Sequence, residues 1–271
     1  MPTIHPTAII DSQAKLADTC RVGPYCVIKG DVSIGPGTDV GHGCHIAGQV
    51  TIGEDNELYP YCSIGTAPQD VAYEGGTFAV EIGDKNILRE FCTINMGSAK
   101  DQRVTVIGNH NYLMAYCHVG HDCDVGNHVV MINNVGLSGH TRIDDHAILS
   151  GLTGVHHYVT VGQYAFIGGM SRIIHDAPPY MITEGNPSSV HRVNVIGLRR
   201  HGFDEESIAC LRRAHRVLYR SKLTRQEAFS ILEERPEELT PEVKNLIKFL
   251  RLQMEGRQGR QREVRRMGGK G

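Results

Sequence analysis

Eight of the fifteen histidines of this 271-residue chain fall between positions 110 and 157. Imidazole is the side chain whose ordinary pKa lies nearest neutrality, so such a density can serve proton transfer or hold a metal. His118, His121, His140, His156 and His157 would meet along one edge if residues about eighteen apart were stacked on one another. Asp122 directly follows His121. A carboxylate beside an imidazole fixes its tautomer and raises its basicity, which makes a general base for a hydroxyl or an amine. No two histidines stand four residues apart and no Cys-x-x-Cys occurs, so no metal is expected. A covalent serine mechanism lacks its Gly-x-Ser-x-Gly elbow.

The element that would stack these residues is a repeat of six. Every sixth residue from Ile4 is aliphatic: Ile4, Ile10, Leu16, Val22, Ile28, Ile34, Val40, Ile46, Ile52, Leu58 and Ile64. The register resumes at Ile82, Leu88 and Ile94, and again from Ile107 through Ile173. A period of six is neither helix nor simple alternation. It predicts a mainly β protein, a parallel β-helix in which a short strand and a turn recur and each aliphatic residue points inward. Three hexads close one coil of eighteen, and the equivalents of His121 on later coils are then Gly139, His157 and His175. Thirty-one glycines, no tryptophan and 6% aromatics agree with tight turns around a narrow core.

Seven of the eight cysteines lie four residues after a repeat position, in a slot that elsewhere takes Ala or Thr, so they are expected as buried small hydrophobes. Reduced thiols and the lack of a signal-peptide pattern at the N-terminus point to a cytoplasmic protein, and no apolar run is long enough to span a membrane. The repeat is interrupted at about 66–81 and 98–106, and such insertions become loops, often on the binding side.

The repeat ends near Pro178-Pro179, giving a β-helix domain over 1–190. A helical domain is expected over 191–256, with helices opened by Asp204, by the capping box Thr224–Glu227 and by Pro241. A basic tail over 257–271 is expected to be disordered. Residues 1–203 carry a net charge of −7 and residues 204–271 a net of +5. A basic helical end suits an acidic partner. No nucleic-acid module accompanies it, so a nucleic acid is not the expected one.

The segment His118-Val119-Gly120-His121-Asp122-Cys123-Asp124-Val125-Gly126-Asn127, followed by Asn133-Asn134-Val135-Gly136-Leu137-Ser138-Gly139-His140, resembles the UDP-N-acetylglucosamine O-acyltransferases of lipid A biosynthesis. Further matches are Pro68-Gln69-Asp70, Pro178-Pro179-Tyr180, Glu184-Gly185-Asn186 and Asn194 through Phe203. The resemblance spans about residues 2–255. It implies a left-handed β-helix, a helical C-terminal domain and a homotrimer with active sites between subunits. It also implies transfer of an (R)-3-hydroxyacyl chain from acyl carrier protein to the sugar's 3-hydroxyl, with no cofactor.

Carried onto this sequence, the resemblance makes His121 the general base, Asp122 its support and the Gly139 N–H the oxyanion donor. His118, His140, His156, His157, Gln69, Asp70, Asn194 and Arg200 would line the pocket for the nucleotide sugar and phosphopantetheine. The acidic carrier protein would dock on the basic helices. Gly169 stands at the position of the family's acyl-length ruler, where a glycine leaves room for a longer chain. Three positions depart from the family pattern: Ala72, Met96 and His201 stand where cations are expected. That loss bears on phosphate binding, and it leaves a 3-amino sugar as an alternative acceptor. The related N-acyltransferases carry an N-terminal uridine-binding domain, for which a repeat starting at Ile4 leaves no space. A non-catalytic scaffold is disfavoured by the histidines.

Overall fold

The computed structural model describes residues 1–99, 103–235 and 239–263. Strands of two to four residues alternate with turns, and successive coils pair in parallel to form three long faces. The first face begins at Thr3–Ile4, the second at Ile9–Ile10 and the third at Lys15–Leu16. Outside the two insertions each residue pairs with the one eighteen ahead, as Thr3 with Arg21, Ile9 with Val27 and Lys15 with Ser33. Across the insertions the offset grows, as for Ser63 with Thr93 and Thr93 with His118. The fold is a left-handed parallel β-helix.

The hexad residues fill the interior. Ile28, Ile46, Ile94, Val119, Leu137 and Ile173 are fully buried in one continuous cluster. The first strand, Thr3–Ile4, pairs on one side only, and Ile4 is 39% exposed despite its register. Ile9, one residue off the register, faces outward and is 67% exposed.

The corners explain the rest of the pattern. The third residue after each aliphatic position repeatedly takes a left-handed backbone, as at Tyr61, Asp122, His140 and Tyr158. The next residue turns inward. There Cys26, Cys44, Cys62, Cys92 and Cys117 stack at the corner between the first and second faces, all buried and free. The same inward slot, at the corner between the third and first faces, holds an asparagine ladder. Asn56 Oδ1 accepts from the main-chain N–H of Asn86 at 2.9 Å, and Asn86 Oδ1 accepts from that of Asn111 at 2.9 Å. Sequence reading did not single out that ladder, because asparagine breaks the small-apolar pattern. Each amide meets the coil above and so satisfies polar groups a narrow interior would otherwise orphan.

Both interruptions are shorter than their spacing suggested. Ala79–Ile82 and Val104–Ile107 are strands of the third face, which leaves a loop over 67–78 and a second between Asn95 and Val104, described over 96–99 and at 103. Both loops leave the same corner, between the second and third faces, on adjacent coils.

At the C-terminal end the solenoid closes with an antiparallel hairpin, Met181–Gly185 with Ser188–Val193, which the hexad pattern did not foretell. The helical part then begins at Val195, with α1 (Val195–Arg200), α2 (Glu205–Tyr219), α3 (Arg225–Glu233) and α4 (Pro241–Met254). Asp204 caps α2 by accepting from Ser207 N, Thr224 and Glu227 form the expected capping box, and Pro241 opens α4. Leu211, Leu246 and Leu250 pack with Met181 and Val193 in a second core that seals the end of the solenoid. Residues 257–263 depart from the disorder expected of the tail. Arg260 N donates to Asp176 at 3.3 Å and Arg262 Nη2 donates to His140 O at 3.0 Å. The tail beyond 263 lies outside the described residues.

Candidate active site

The corner from which both loops depart is also the histidine corner. His121 follows the strand His118–Val119, and Gly139 and His157 hold the same place one and two coils further on. The eighteen-residue register therefore delivers His121, Gly139 and His157 as a column, with Asp122, His140 and Tyr158 as a second column beside it.

His121 Nδ1 lies 2.8 Å from Asp122 Oδ2. Asp122 is 3% exposed and accepts twice from Ser98, main-chain N to Oδ1 at 2.9 Å and Oγ to Oδ2 at 2.6 Å. Burial pushes the Asp122 carboxyl up, but hydrogen bonds from His121 and Ser98 and the nearby His140 outweigh it and hold it below the ordinary range. An ionised carboxylate only accepts, so in the neutral ring the proton sits on Nδ1 and the lone pair on Nε2. Ser98 comes from the second loop, whose polar, bland sequence gave no sign of this role.

Around this pair, His118 Nδ1 lies 2.8 Å from Thr93 Oγ1, and burial together with the charge of His121 lowers its pKa. Burial likewise lowers His156, whose ring centroid is 3.9 Å from that of His157. His157 Nε2 meets Glu263 Oε1 at 2.7 Å. Two adjoining hollows of about 470 and 460 Å³ share Gln69, His121, Ser138 and Gly139. His118, His156, Asn95 and Arg172 line the first, and Asp70, His140, His157, Tyr158 and Glu263 the second.

A methyl group built on Gly139 would lie 2.5 Å from His121 Nε2, so the imidazole rests directly on this glycine. The Gly139 N–H has no acceptor among the described residues. His121, Asp122 and His140 also place one donor atom each within 4.8 Å of one another, a spacing a metal could use. The Asp122 oxygens, however, are already engaged by His121 and Ser98.

Of the residues singled out in the sequence, His118, His121, His140, His156, His157, Gln69, Asp70 and Gly139 come together with Asp122. Asn194, Arg200 and Gly169 do not join them within one chain. Asn194 N-caps α1 and donates to Tyr164 O at 3.0 Å, near the corner between the third and first faces. Arg200 ends the same helix, exposed. Gly169 is exposed at the corner between the first and second faces. Sequence reading missed Ser98, Asn95, Arg172 and Glu263. Asn95 is 2% exposed, and its Oδ1 is buried without a hydrogen-bond partner among the described residues.

Residues 176–260 match the family described as Udp N-acetylglucosamine O-acyltransferase, Domain 2, and residues 13–48 match the bacterial transferase hexapeptide family (six repeats). The acyl-[acyl-carrier-protein]–UDP-N-acetylglucosamine O-acyltransferase of Thiobacillus denitrificans is 44% identical over 251 residues, covering 92% of this chain and 96% of its own. This chain belongs to that O-acyltransferase family. The family's enzyme from Leptothrix cholodnii is 47% identical over 84% of this chain and 86% of its own. The UDP-N-acetylglucosamine acyltransferase structure from Francisella novicida superposes with a TM-score of 0.87 at 40% identity, over 91% of this chain and 90% of that one. For an O-acyltransferase, an imidazole with one tied nitrogen and one free nitrogen beside a free N–H is the required chemistry.

Proposed function

We propose that the chain moves an (R)-3-hydroxyacyl group from acyl carrier protein to the 3-hydroxyl of UDP-N-acetylglucosamine, the first step of lipid A biosynthesis, with His121 as general base. The observation that carries the mechanism is the pairing of His121 Nδ1 with Asp122 at 2.8 Å while Nε2 stays open against Gly139. Nε2 takes the proton of the sugar hydroxyl as its oxygen attacks the thioester carbonyl. The oxyanion so formed accepts from the Gly139 N–H. Collapse breaks the C–S bond, and the imidazolium returns the proton to the departing pantetheine thiolate. Asp122 steadies the imidazolium throughout.

A groove for the donor crosses the second face. Methyl groups built on Gly136 and Gly154 meet nothing within 4 Å, and at Gly169 the nearest atoms are Gly151 O at 3.5 Å and Ser150 Cβ at 3.8 Å. That clearance supports Gly169 as the acyl-length ruler and favours a longer chain. Lys244, Lys248 and Arg213 border hollows on the helical domain and suit an acidic carrier protein.

Asn194 and Arg200, at a different corner from His121, would reach the cavity of a neighbouring copy in a homotrimer with sites between subunits. The exposed stack of Tyr61, Phe91 and Tyr116 leaves apolar surface for such an assembly. Among the described residues no helix is long and apolar enough to cross a membrane. The free, buried thiols support a cytoplasmic location.

The test is an assay with UDP-N-acetylglucosamine or its 3-amino analogue and (R)-3-hydroxyacyl carrier proteins of several lengths. The hydroxyl acceptor is expected to turn over, and His121→Ala to lower kcat by about 10²–10⁴-fold. Asp122→Asn should cost about tenfold or more, since it reverses the hydrogen bond that sets the tautomer. Turnover of the amine alone would move the assignment to N-acylation. Full activity in His121→Ala would end the general-base mechanism.

A further inference from the structure

The reaction's substrates both carry phosphate, a diphosphate on the nucleotide sugar and a phosphodiester on the pantetheine arm. Among the described residues lining the two hollows, Arg172 is the one side chain that is permanently cationic. The other charged groups there are acidic and already engaged. Asp70 accepts from Ala72 N at 2.9 Å, and Glu263 meets His157 at 2.7 Å and Arg260 at 3.2 Å.

Arg172 is exposed, and no hydrogen bond or ion pair engages its guanidinium among the described residues. Its strand, Arg172–Ile173, is held in register on the second face. Arg172 pairs with Gly154, Gly154 with Gly136, and Gly136 with His118. At ~4.8 Å per coil, Arg172 therefore stands roughly 14 Å along the axis from His118, on the same outward face, with two glycines between them. Nothing projects from those glycines to block the guanidinium.

The three positions where the resemblance expects cations do not supply one here. Ala72 has no charge. Met96 is buried, and its Sδ accepts from Phe78 N at 3.5 Å. The His201 ring packs against His146 and Tyr164 at another corner. Without Arg172 no side chain lining the cavity would carry a fixed positive charge toward two phosphorylated substrates. Arg260 and Arg262, at its edge, are engaged by Glu263 and by His140 O.

We propose that Arg172 is a phosphate-binding, specificity-determining residue of the active-site cavity, its guanidinium taking phosphoryl oxygens in a forked hydrogen-bonded pair. The proposal rests on the acyltransferase reading above. Its geometry places the phosphate across the glycine gap from the reacting groups.

The experiment compares the full-length enzyme with Arg172→Gln and Arg172→Lys. Initial rates are measured with UDP-N-acetylglucosamine varied at saturating donor, then with donor varied at saturating sugar. Binding of UDP alone and of phosphopantetheine alone is measured by calorimetry. Arg172→Gln is expected to raise one KM by about tenfold, with kcat within about threefold, and Arg172→Lys to recover part of it. A rise confined to the sugar, with weaker UDP binding, identifies the diphosphate. A rise confined to the donor, with weaker phosphopantetheine binding, identifies the phosphodiester. Both KM values and both affinities within twofold of the unmodified enzyme, with an unchanged thermal transition, would overturn the proposal. If the unmodified enzyme turns over neither acceptor, the acyltransferase reading fails, and calorimetry alone then decides whether Arg172 binds phosphate.

Discussion

A methyl group on Gly139 would lie 2.5 Å from Nε2 of His121, one coil below it in the solenoid. That separation is well inside van der Waals contact. The base and the oxyanion donor are therefore one packed unit: the ring can sit where it does only because position 139 lacks a side chain. The parallel register of His118 with Gly136 and Val119 with Leu137 holds the two coils too firmly to shift apart.

Gly139→Ala is accordingly expected to turn the His121 ring away from the reacting hydroxyl. Position 139 is at a corner and its backbone needs no left-handed conformation, so the fold should survive. A fall in kcat of about 10²-fold or more, with a melting temperature within a few degrees of the unmodified protein, is the expected result. Unchanged kcat would show that the contact is not catalytically relevant.

Burial, then the charge of His121, lowers the pKa of His118 in the folded chain. Between that lowered pKa and ~6.5, the unfolded chain binds a proton that the folded chain does not, so stability falls as pH drops through this window and is regained above it. His118→Gln should make the melting temperature less sensitive to pH between about 7 and 5. His146, His156 and His215 are lowered for the same first reason and will keep part of the slope. An identical slope in the variant would contradict the lowered pKa of the half-buried His118.

Thiol chemistry tests the interior. Burial raises Cys20 to about 11 and Cys123 to about 12, and the five stacked cysteines are also shut from solvent. Cys210 on α2 is partly exposed. A thiol reagent should therefore titrate one group of the eight in the native protein and all eight in denaturant. Rapid reaction of several native thiols would mean that the corners open.

How much of this was written along the chain differs from element to element. The hexad register alone determined the parallel β-helix, the inward cysteines and the stacking of His121, Gly139 and His157, because a repeat converts sequence separation into position along an axis. Local rules determined the capped starts of α2 and α3, since a cap and its partner lie three residues apart, and the start of α4 at Pro241. Tertiary structure decided what periodicity does not carry. Ser98 reaches Asp122 from a loop outside the repeat, and Glu263 reaches His157 across 106 residues. Asn194 and Arg200 sit at another corner, where α1 meets Tyr164, because the hairpin that ends the solenoid sets the direction of the chain. Which corner a residue occupies follows from the count of six, but which non-repeating segment comes to rest on it depends on contacts that only the folded chain makes.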